Sequence, residues 1–204
     1  MFDIALLGIL INNEHGPLTM KLILVRHAET EWNLEGIIQG HSDSSLTCRG
    51  LRETSVLLAA FSASEYQIER VYASPLGRAW QMGQSLAEHF RCSLTAEPAL
   101  KEQAFGQFEG MPLELLRQKH PNDANALFRL DAEYCPTGGS HWRMLLSELC
   151  VFYKTWKILH HINKQYVLCL TGMSVRALWQ FLKKGLSIVS LAMLTPMQVI
   201  LLST

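Results

Sequence analysis

A short, unbroken apolar run near the start of the chain limits the folds that are open to it. Residues 22–25 are LILV, and Arg26 and His27 follow at once. A strand with no polar position must be covered on both faces, which is typical of a parallel sheet between two layers of helices. The run therefore predicts a buried central strand that carries Arg26 and His27 at its carboxyl end.

The rest of the chain alternates between short apolar runs and segments of helical periodicity. Three runs predict further strands, and four longer segments predict helices, the first with Thr47 as its N-cap. This alternation predicts an α/β fold, a three-layer sandwich with a mostly parallel central sheet. The predicted strands are 70–73, 93–96 and 166–170, and the predicted helices are 47–60, 76–90, 111–130 with a break at Pro121, and 143–161.

The length of 204 residues suits one domain with a full hydrophobic core. We expect residues 20–204 to form that domain and residues 1–19 to be an N-terminal extension, with Met20 as an alternative start. Residues 186–202 are apolar, but they contain Pro196 and are of marginal length for a bilayer. We therefore expect no membrane span, and a tether through this segment is the alternative.

Composition narrows the class of partner. The 18 basic and 18 acidic residues give a formal net charge of zero, which argues against nucleic acid because phosphate-backbone binding needs a basic surplus. The five cysteines form no CxxC pair, so we expect free thiols in a reducing cytoplasm and no structural zinc. His160 and His161 have no further ligand at workable spacing, and we expect them at a solvated helix end.

Four motifs follow one another between the first predicted strand and the last third of the chain. Together they resemble the histidine phosphatase superfamily, the phosphoglycerate mutase-like enzymes, over residues 20–139. Ala28 stands where that family usually has glycine. The motifs are LVRHAETEWN at 24–33, QGHSDSSLTCRG at 39–50, SPLGRA at 74–79 and LKEQAFGQFEG at 100–110.

The resemblance implies a phosphoglycerate mutase-like fold and a phosphohistidine intermediate, with no metal or organic cofactor. It makes His27 the nucleophile and Glu102 the general acid and base. It also makes Arg26 and Arg78 phosphate clamps and Asn33 a phosphate contact. Asn33 suits a turn cap equally well, and three other carboxylates compete with Glu102 on sequence grounds. These are Glu29, Glu31 and Glu109.

Elementary chemistry supports the same roles. A phosphate monoester is a dianion, and its transfer needs cationic donors around the phosphoryl oxygens. A neutral imidazole can attack phosphorus, and neighbouring arginines favour the neutral ring because they disfavour the imidazolium. A carboxylic acid such as Glu102 can protonate the leaving alcohol and later activate water. Ligands of open α/β sheets bind at the carboxyl ends of the strands, where Arg26 and His27 are predicted.

The last third departs from the family pattern. The family has a second histidine in a Ser-His-Gly pattern after a late strand, whereas this chain has LCLTGM at 168–173. Residues 138–204 also hold seven basic residues but a single acidic one, Glu148, and they are strongly apolar.

A shifted reading frame is one hypothesis for this departure. When the third base of each codon is joined to the first two of the next, residues 138–144 can become GESLAD and residues 169–173 can become SHGD. We therefore hypothesise a frameshift near residue 137. A tail produced in this way would lack the late strand and helix that close the core, and it would expose apolar surface.

We expect a phosphatase that hydrolyses phosphate monoesters of small molecules, and an impaired one if the second histidine is required. The alternatives are a phosphoglycerate mutase-type phosphotransferase and an impaired protein that only binds a phosphate ligand. The short stretch between Glu102 and Gly138 favours the phosphatase, because the larger mutases of the family carry more insertion there.

Overall fold

The apolar run at 22–25 lies inside strand β2 (Thr19–Arg26), within a six-stranded sheet. The structure is a computed structural model. It describes the backbone of residues 5–12, 19–159, 164–174 and 198–202, and the side chains of residues 22–156 and 164–174.

Five further strands complete the sheet. They are β1 (Ala5–Asn12), β3 (Ile68–Ala73), β4 (Ser93–Ala96), β5 (Gln165–Leu170) and β6 (Gln198–Leu202). The strand order is β4-β3-β5-β2-β1-β6, and the four strands from β4 to β2 are all parallel. Strand β1 is antiparallel to β2 and parallel to β6. The predicted mostly parallel sheet is therefore confirmed.

In the described residues six α-helices precede β5, and every predicted helical segment overlaps at least one of them. The Thr47 hydroxyl accepts the Gly50 N–H at 2.9 Å, so Thr47 is the N-cap that its sequence predicts. Pro121 begins a new helix, because its ring is tolerated only in a first turn. The helices are α1 (Glu31–Leu34), α2 (Cys48–Ser62), α3 (Gly77–Phe90), α4 (Leu113–Lys119), α5 (Pro121–Arg129) and α6 (Trp142–Leu159).

Helices cover both faces of the parallel strands. In β2, Leu22 and Leu24 belong to one buried cluster with α6, while Ile23 and Val25 belong to a second cluster with α2 and α3. Successive strand residues point to opposite faces, so a run of four apolar residues contributes side chains to the hydrophobic clusters on both faces of the sheet. The three-layer sandwich is confirmed, and it holds the carboxyl end of β2 firmly at one edge.

The expectation that the last third would lack the late strand and helix is wrong. Strand β5 lies between β3 and β2, and its residues from Tyr166 to Leu170 are all buried. Helix α6 buries residues at helical spacing against the same sheet face. Residues 166–170 of β5 are all apolar, and the apolar residues of α6 form one continuous stripe along the helix. These are the patterns expected where a helix covers the face of a sheet. The buried residues of α6 are Trp142, Leu145, Leu149, Tyr153 and Trp156.

Two predictions at the chain ends fall partly outside the described residues. Strand β1 covers residues 5–12 of the expected N-terminal extension and pairs with β2. Of the candidate tether at 186–202, the described part is strand β6. In the described part of the chain, no helix has both the length and the apolar character of a membrane span. His160 and His161 lie outside the described residues.

Gly83 tests how closely α3 packs on the sheet. A Cβ at this position would lie 2.7 Å from Ala73 Cβ and 3.2 Å from Leu94 Cδ1, so Gly83→Ala must push α3 away from β3 and β4. We expect a loss of about 1–3 kcal/mol of unfolding free energy in urea, which outweighs the gain of about 1 kcal/mol in helix propensity.

Gln84→Ala is the matched control for this substitution, because Gln84 is the next residue of α3 and is exposed. It should change the unfolding free energy by less than about 0.5 kcal/mol. A Gly83→Ala variant as stable as the wild type would contradict the close packing of α3.

Candidate active site

The carboxyl ends of the parallel strands meet at one edge of the sheet. Arg26 pairs with Leu170 in the β2–β5 ladder, and the His27 N–H donates to the Leu170 carbonyl at 3.1 Å. On the other side of β5, the Ser74 N–H donates to the Cys169 carbonyl at 2.9 Å. The ends of β2, β3 and β5 therefore lie side by side, and the residues that follow them can share one site.

The imidazole of His27 is held in one tautomer. The ring is buried, with 3% of its surface exposed, and Nδ1 lies 2.8 Å from the carbonyl oxygen of Ala28. A carbonyl can only accept a hydrogen bond, so Nδ1 carries the proton and Nε2 of the neutral ring keeps its lone pair. The methyl group of Ala28, where the family usually has glycine, is fully buried in the core beneath the site.

The surroundings of His27 keep the ring neutral. Burial has the largest effect and lowers the pKa of His27 well below its ordinary value, and the charges of Arg26 and Arg78 lower the pKa further. The hydrogen bond to Ala28 raises the pKa but is outweighed. A neutral ring with an available Nε2 lone pair is the form that can act as a nucleophile.

Arg78 reaches the same site from the first turn of α3. Its side chain is 1% exposed. Nη1 donates to the Ser42 carbonyl at 2.9 Å and to Asp43 Oδ1 at 2.6 Å, and Nη2 donates to the Gly40 carbonyl at 2.8 Å. Among the described residues, the buried Nε has no hydrogen-bond acceptor. A buried donor in this state is available to an oxygen of a bound anion.

Glu109 shapes the loop that holds Arg78. Its carboxylate accepts the N–H groups of His41, Ser42 and Phe105 and the Ser42 hydroxyl. Partial burial raises the pKa of Glu109, but these hydrogen bonds together outweigh it and leave the pKa below its ordinary value. Gly40 has a φ of +59°, and a side chain there would overlap the carboxylate. The Glu109 carboxylate is therefore fully engaged in hydrogen bonds that hold this loop.

Glu102 is the carboxyl group at the same edge. It is 9% exposed, and the Met173 N–H lies 3.1 Å from both of its carboxyl oxygens. Burial is the main cause that raises the pKa of Glu102, while the Met173 amide and the Arg78 charge lower it less. Arg26 also acts on this carboxyl group. Since Glu102 and His27 interact with the same two guanidinium groups, the structure brings these four residues together.

The competing carboxylates have other partners or lie on the surface. Glu29 accepts the Thr47 hydroxyl at 2.8 Å and lies 3.6 Å from Arg49, so it fastens the start of α2. Glu31 is an exposed residue of α1. Together with the engaged Glu109, this leaves Glu102 as the buried carboxyl group with a raised pKa at the edge where His27 lies.

Asn33 lies in a capping box at the start of α1. Its Oδ1 accepts the Thr30 N–H at 3.2 Å and the Thr30 hydroxyl at 3.0 Å. The predicted turn cap is thus present and uses Oδ1. The contact of Asn33 with phosphate stays a prediction, and it would be made by the other amide atom, Nδ2.

The turn after β5 contains no histidine. Thr171 is buried, and its hydroxyl donates to Ser174 Oγ at 3.1 Å; the Ser174 hydroxyl in turn donates to the Lys101 carbonyl. Gly172 faces Arg26, since a Cβ there would lie 3.3 Å from Arg26 Nε. The turn therefore supports the segment around Glu102 but adds no side-chain donor at Gly172.

The sequence did not indicate the role of two residues that hold the site in shape, Asp43 and Glu109. Asp43 binds Arg78 and accepts the N–H of Gly77, so it fixes the start of α3 as well as the guanidinium. Both carboxylates lie inside the quoted motifs, but nothing in the motifs separates a loop-fixing carboxylate from a reacting one. Within the described residues, no group of three or more His, Cys, Asp or Glu side chains could hold a metal ion.

A sequence model described as "Histidine phosphatase superfamily (branch 1)" matches residues 22–201. The chain belongs to the histidine phosphatase superfamily. The match continues through the segment after residue 137, where β5 and part of the site lie.

Relatives within the superfamily include mutases and phosphatases. The 2,3-bisphosphoglycerate-dependent phosphoglycerate mutase of Bartonella henselae is 28% identical over 166 residues, which are 77% of this chain and 78% of that protein. Phosphoserine phosphatase 1 of Hydrogenobacter thermophilus is 36% identical over 104 residues, which are 51% of this chain and 48% of that protein. The chain thus spans about half the length of several curated relatives that it matches.

The fold is also that of solved histidine phosphatase-like structures. The YhfR protein of Bacillus stearothermophilus superposes with a TM-score of 0.73 and 24% identity, over 81% of this chain and 80% of that one. The phosphoglycerate mutase-like α/β fold predicted from the motifs is therefore confirmed.

The protonation of His27 gives a direct test of this geometry. Because the folded protein depresses the pKa of His27 well below the ordinary value of 6.5, its ring should stay neutral between about pH 7.5 and about pH 6.5, where an ordinary imidazole takes up its proton. Nitrogen-15 NMR of histidine-labelled protein should show a protonated Nδ1 and an unprotonated Nε2 throughout.

The His27→Ala variant assigns the resonance, and free imidazole in the same tube serves as the titration reference. A His27 ring that titrates at or above the ordinary value, or that carries its proton on Nε2, would contradict the arrangement.

Proposed function

We propose that the protein hydrolyses phosphate monoesters of small molecules through a phosphohistidine intermediate on His27. The observation that carries this proposal is the buried imidazole of His27, whose Nδ1 is bound to the Ala28 carbonyl and whose pKa is lowered by burial and by the charges of Arg26 and Arg78. Burial and two positive charges disfavour a cationic ring but favour a dianionic ligand beside it. The raised pKa of Glu102 adds a proton donor at the same edge.

The first step transfers the phosphoryl group to the protein. Nε2 of His27 forms a bond to phosphorus as the bond from phosphorus to the ester oxygen breaks, and the protonated carboxyl group of Glu102 gives its proton to the departing alcohol. Arg26 and Arg78 bind the phosphoryl oxygens, with Nε of Arg78 as one donor. Asn33 can contribute Nδ2 while its Oδ1 stays in the capping box.

The second step releases inorganic phosphate. The carboxylate of Glu102 takes a proton from water, the water oxygen bonds to phosphorus, and the bond from phosphorus to Nε2 breaks. This returns His27 to the neutral ring and Glu102 to the acid. Splitting one substitution into two steps is the advantage of the covalent intermediate.

A mutase-type transfer is the alternative reaction of the same site. It uses the same phosphohistidine but returns the phosphoryl group to a second hydroxyl of the ligand. We favour hydrolysis, because the segment between Glu102 and Gly138 is short and provides little chain to close over a retained intermediate. We place the protein in the cytoplasm, a proposal supported by its five free cysteines.

A phosphate-ligand binder without turnover is the second candidate, and the turn after β5 favours it. In the family, the turn after the late strand carries a second histidine. In this chain Gly172 lies in that turn, and it has no side chain that could donate a hydrogen bond. Loss of one donor from a phosphoryl site costs on the order of 10²–10³ in rate, by analogy with an oxyanion hole. The frameshift hypothesis would account for the missing histidine but not for the packed β5 and α6, and the nucleotide sequence of codons 130–145 decides it.

Turnover of p-nitrophenyl phosphate between about pH 5 and about pH 7 tests the proposal. We expect the wild type to release phosphate and His27→Ala to lose the activity to background, because the variant lacks the imidazole that accepts the phosphoryl group. The same preparations, given phosphoglycerate and followed by phosphorus-31 NMR, distinguish free phosphate from a moved phosphoryl group.

The matched control is His120→Ala, which removes a half-exposed histidine from the α4–α5 junction. Hydrolysis that survives in His27→Ala would remove the proposed nucleophile. A folded wild type that binds inorganic phosphate in calorimetry but turns over no ester would favour the binder.

A further inference from the structure

The turn after β5 brings Gly172 against the guanidinium group of Arg26. A Cβ added at Gly172 would lie 3.3 Å from Arg26 Nε, 3.4 Å from Nη2 and 3.6 Å from Cζ, and these are its nearest atoms outside the local backbone. Such a Cβ is crowded, because non-bonded heavy atoms prefer separations of about 3.5–4.0 Å. The guanidinium therefore lies at the edge of the space that any side chain at 172 would need.

The backbone conformation of Gly172 does not itself require glycine. Other glycines of the described chain have a left-handed φ, which side chains of L-residues rarely allow. Gly172 is not among them, so the contact with Arg26 is the feature of this turn that favours a residue without a side chain. The glycines with a left-handed φ are Gly36, Gly40, Gly106, Gly110 and Gly138.

The same turn also contacts Glu102. The N–H of Met173, the residue after Gly172, lies 3.1 Å from both carboxyl oxygens of Glu102. Arg26 enters from the neighbouring strand, where it pairs with Leu170 in the β2–β5 ladder. The turn therefore touches the predicted acid through Met173 and the predicted phosphate clamp through Gly172, so a change at 172 acts on the position of the clamp.

We propose that Gly172 is a positioning residue: it leaves room for the Arg26 guanidinium where a side chain of this turn would begin, and Arg26 thereby supplies the phosphate donor that the family takes from its second histidine. A guanidinium carries five N–H donors in a fixed fork, so one such group can serve more than one phosphoryl oxygen. This inference rests on the proposed function and extends it to the missing imidazole. It makes a side chain at 172 and the observed place of Arg26 mutually exclusive.

A double-mutant cycle on phosphate binding tests the inference. Inorganic phosphate is titrated into the wild type, Gly172→Ala, Arg26→Ala and the double variant, and the dissociation constant is measured from the phosphorus-31 NMR line width. Gly172→Ala should raise the dissociation constant by about threefold to tenfold, a part of the contribution of one charge-assisted hydrogen bond. The physical reason is that the added methyl group displaces the guanidinium.

The matched control is the same substitution in the Arg26→Ala background. There the new methyl group has no guanidinium to displace, so the dissociation constant should not change further. Equal weakening in both backgrounds would show that the substitution disturbs the turn itself, and it would overturn the role of Gly172 in positioning Arg26. An unchanged dissociation constant in Gly172→Ala overturns this role as well.

Gly172→His separates this inference from the view that the turn merely lacks a donor. We expect weaker phosphate binding and no gain in turnover of p-nitrophenyl phosphate, because the new side chain has to begin where the guanidinium lies. A gain in turnover, on the order of 10²–10³ for a restored donor, would show that both groups fit together and would overturn the inference.

The contact is measurable even if the proposed function fails. A wild type that binds no phosphate counts against the proposed function, and the urea midpoint of unfolding then replaces the dissociation constant. Gly172→Ala should lower the midpoint when Arg26 is present and should not lower it in the Arg26→Ala background. Equal shifts in both backgrounds, or no shift in either, would overturn the contact between Gly172 and Arg26.

Discussion

The hydrogen bond from Nδ1 of His27 to the carbonyl of Ala28 determines what the site can do. It spans one residue, so it forms as soon as the chain leaves the end of β2 in its observed conformation. It places the proton on Nδ1 and leaves Nε2 as the reactive atom. The two arginines act on this prepared ring: they favour the neutral form, and they supply the charge that a phosphoryl group needs.

Burying the guanidinium charge of Arg78 is costly, which explains why several groups of the loop at residues 40–43 accept hydrogen bonds from it. A buried guanidinium is tolerated only when its donors have partners. Two backbone carbonyls and Asp43 accept hydrogen bonds from Nη1 and Nη2, and Glu109 holds the loop that presents those carbonyls. The remaining Nε–H is the group that a bound anion can satisfy, so the same packing that stabilises Arg78 prepares it for a ligand.

Much of this could be predicted from the sequence, and the reasons are local. Arg26 and His27 directly follow an all-apolar run, so their place at the carboxyl edge follows from the strand itself. The roles of Asp43 and Glu109 could not be predicted, because they depend on contacts between loops 35 and 67 residues apart in the chain. The amide of Met173 as a partner of Glu102 has no signature either, since every residue except proline carries an N–H. The expectation for the tail was wrong because it followed from the hypothesis of a shifted reading frame, whereas the patterns of residues 143–161 and 166–170 predicted the helix and the strand that the structure contains.

The most direct test of the central claim is the site of phosphorylation. The protein is mixed with a phosphorus-32-labelled monoester, quenched in alkali within a fraction of a turnover, and digested, and the labelled peptide is identified by mass spectrometry. The account predicts phosphate on Nε2 of His27, because Nδ1 is engaged with Ala28. Label on Nδ1 or on another side chain, or steady hydrolysis with no labelled protein at any time, would contradict it.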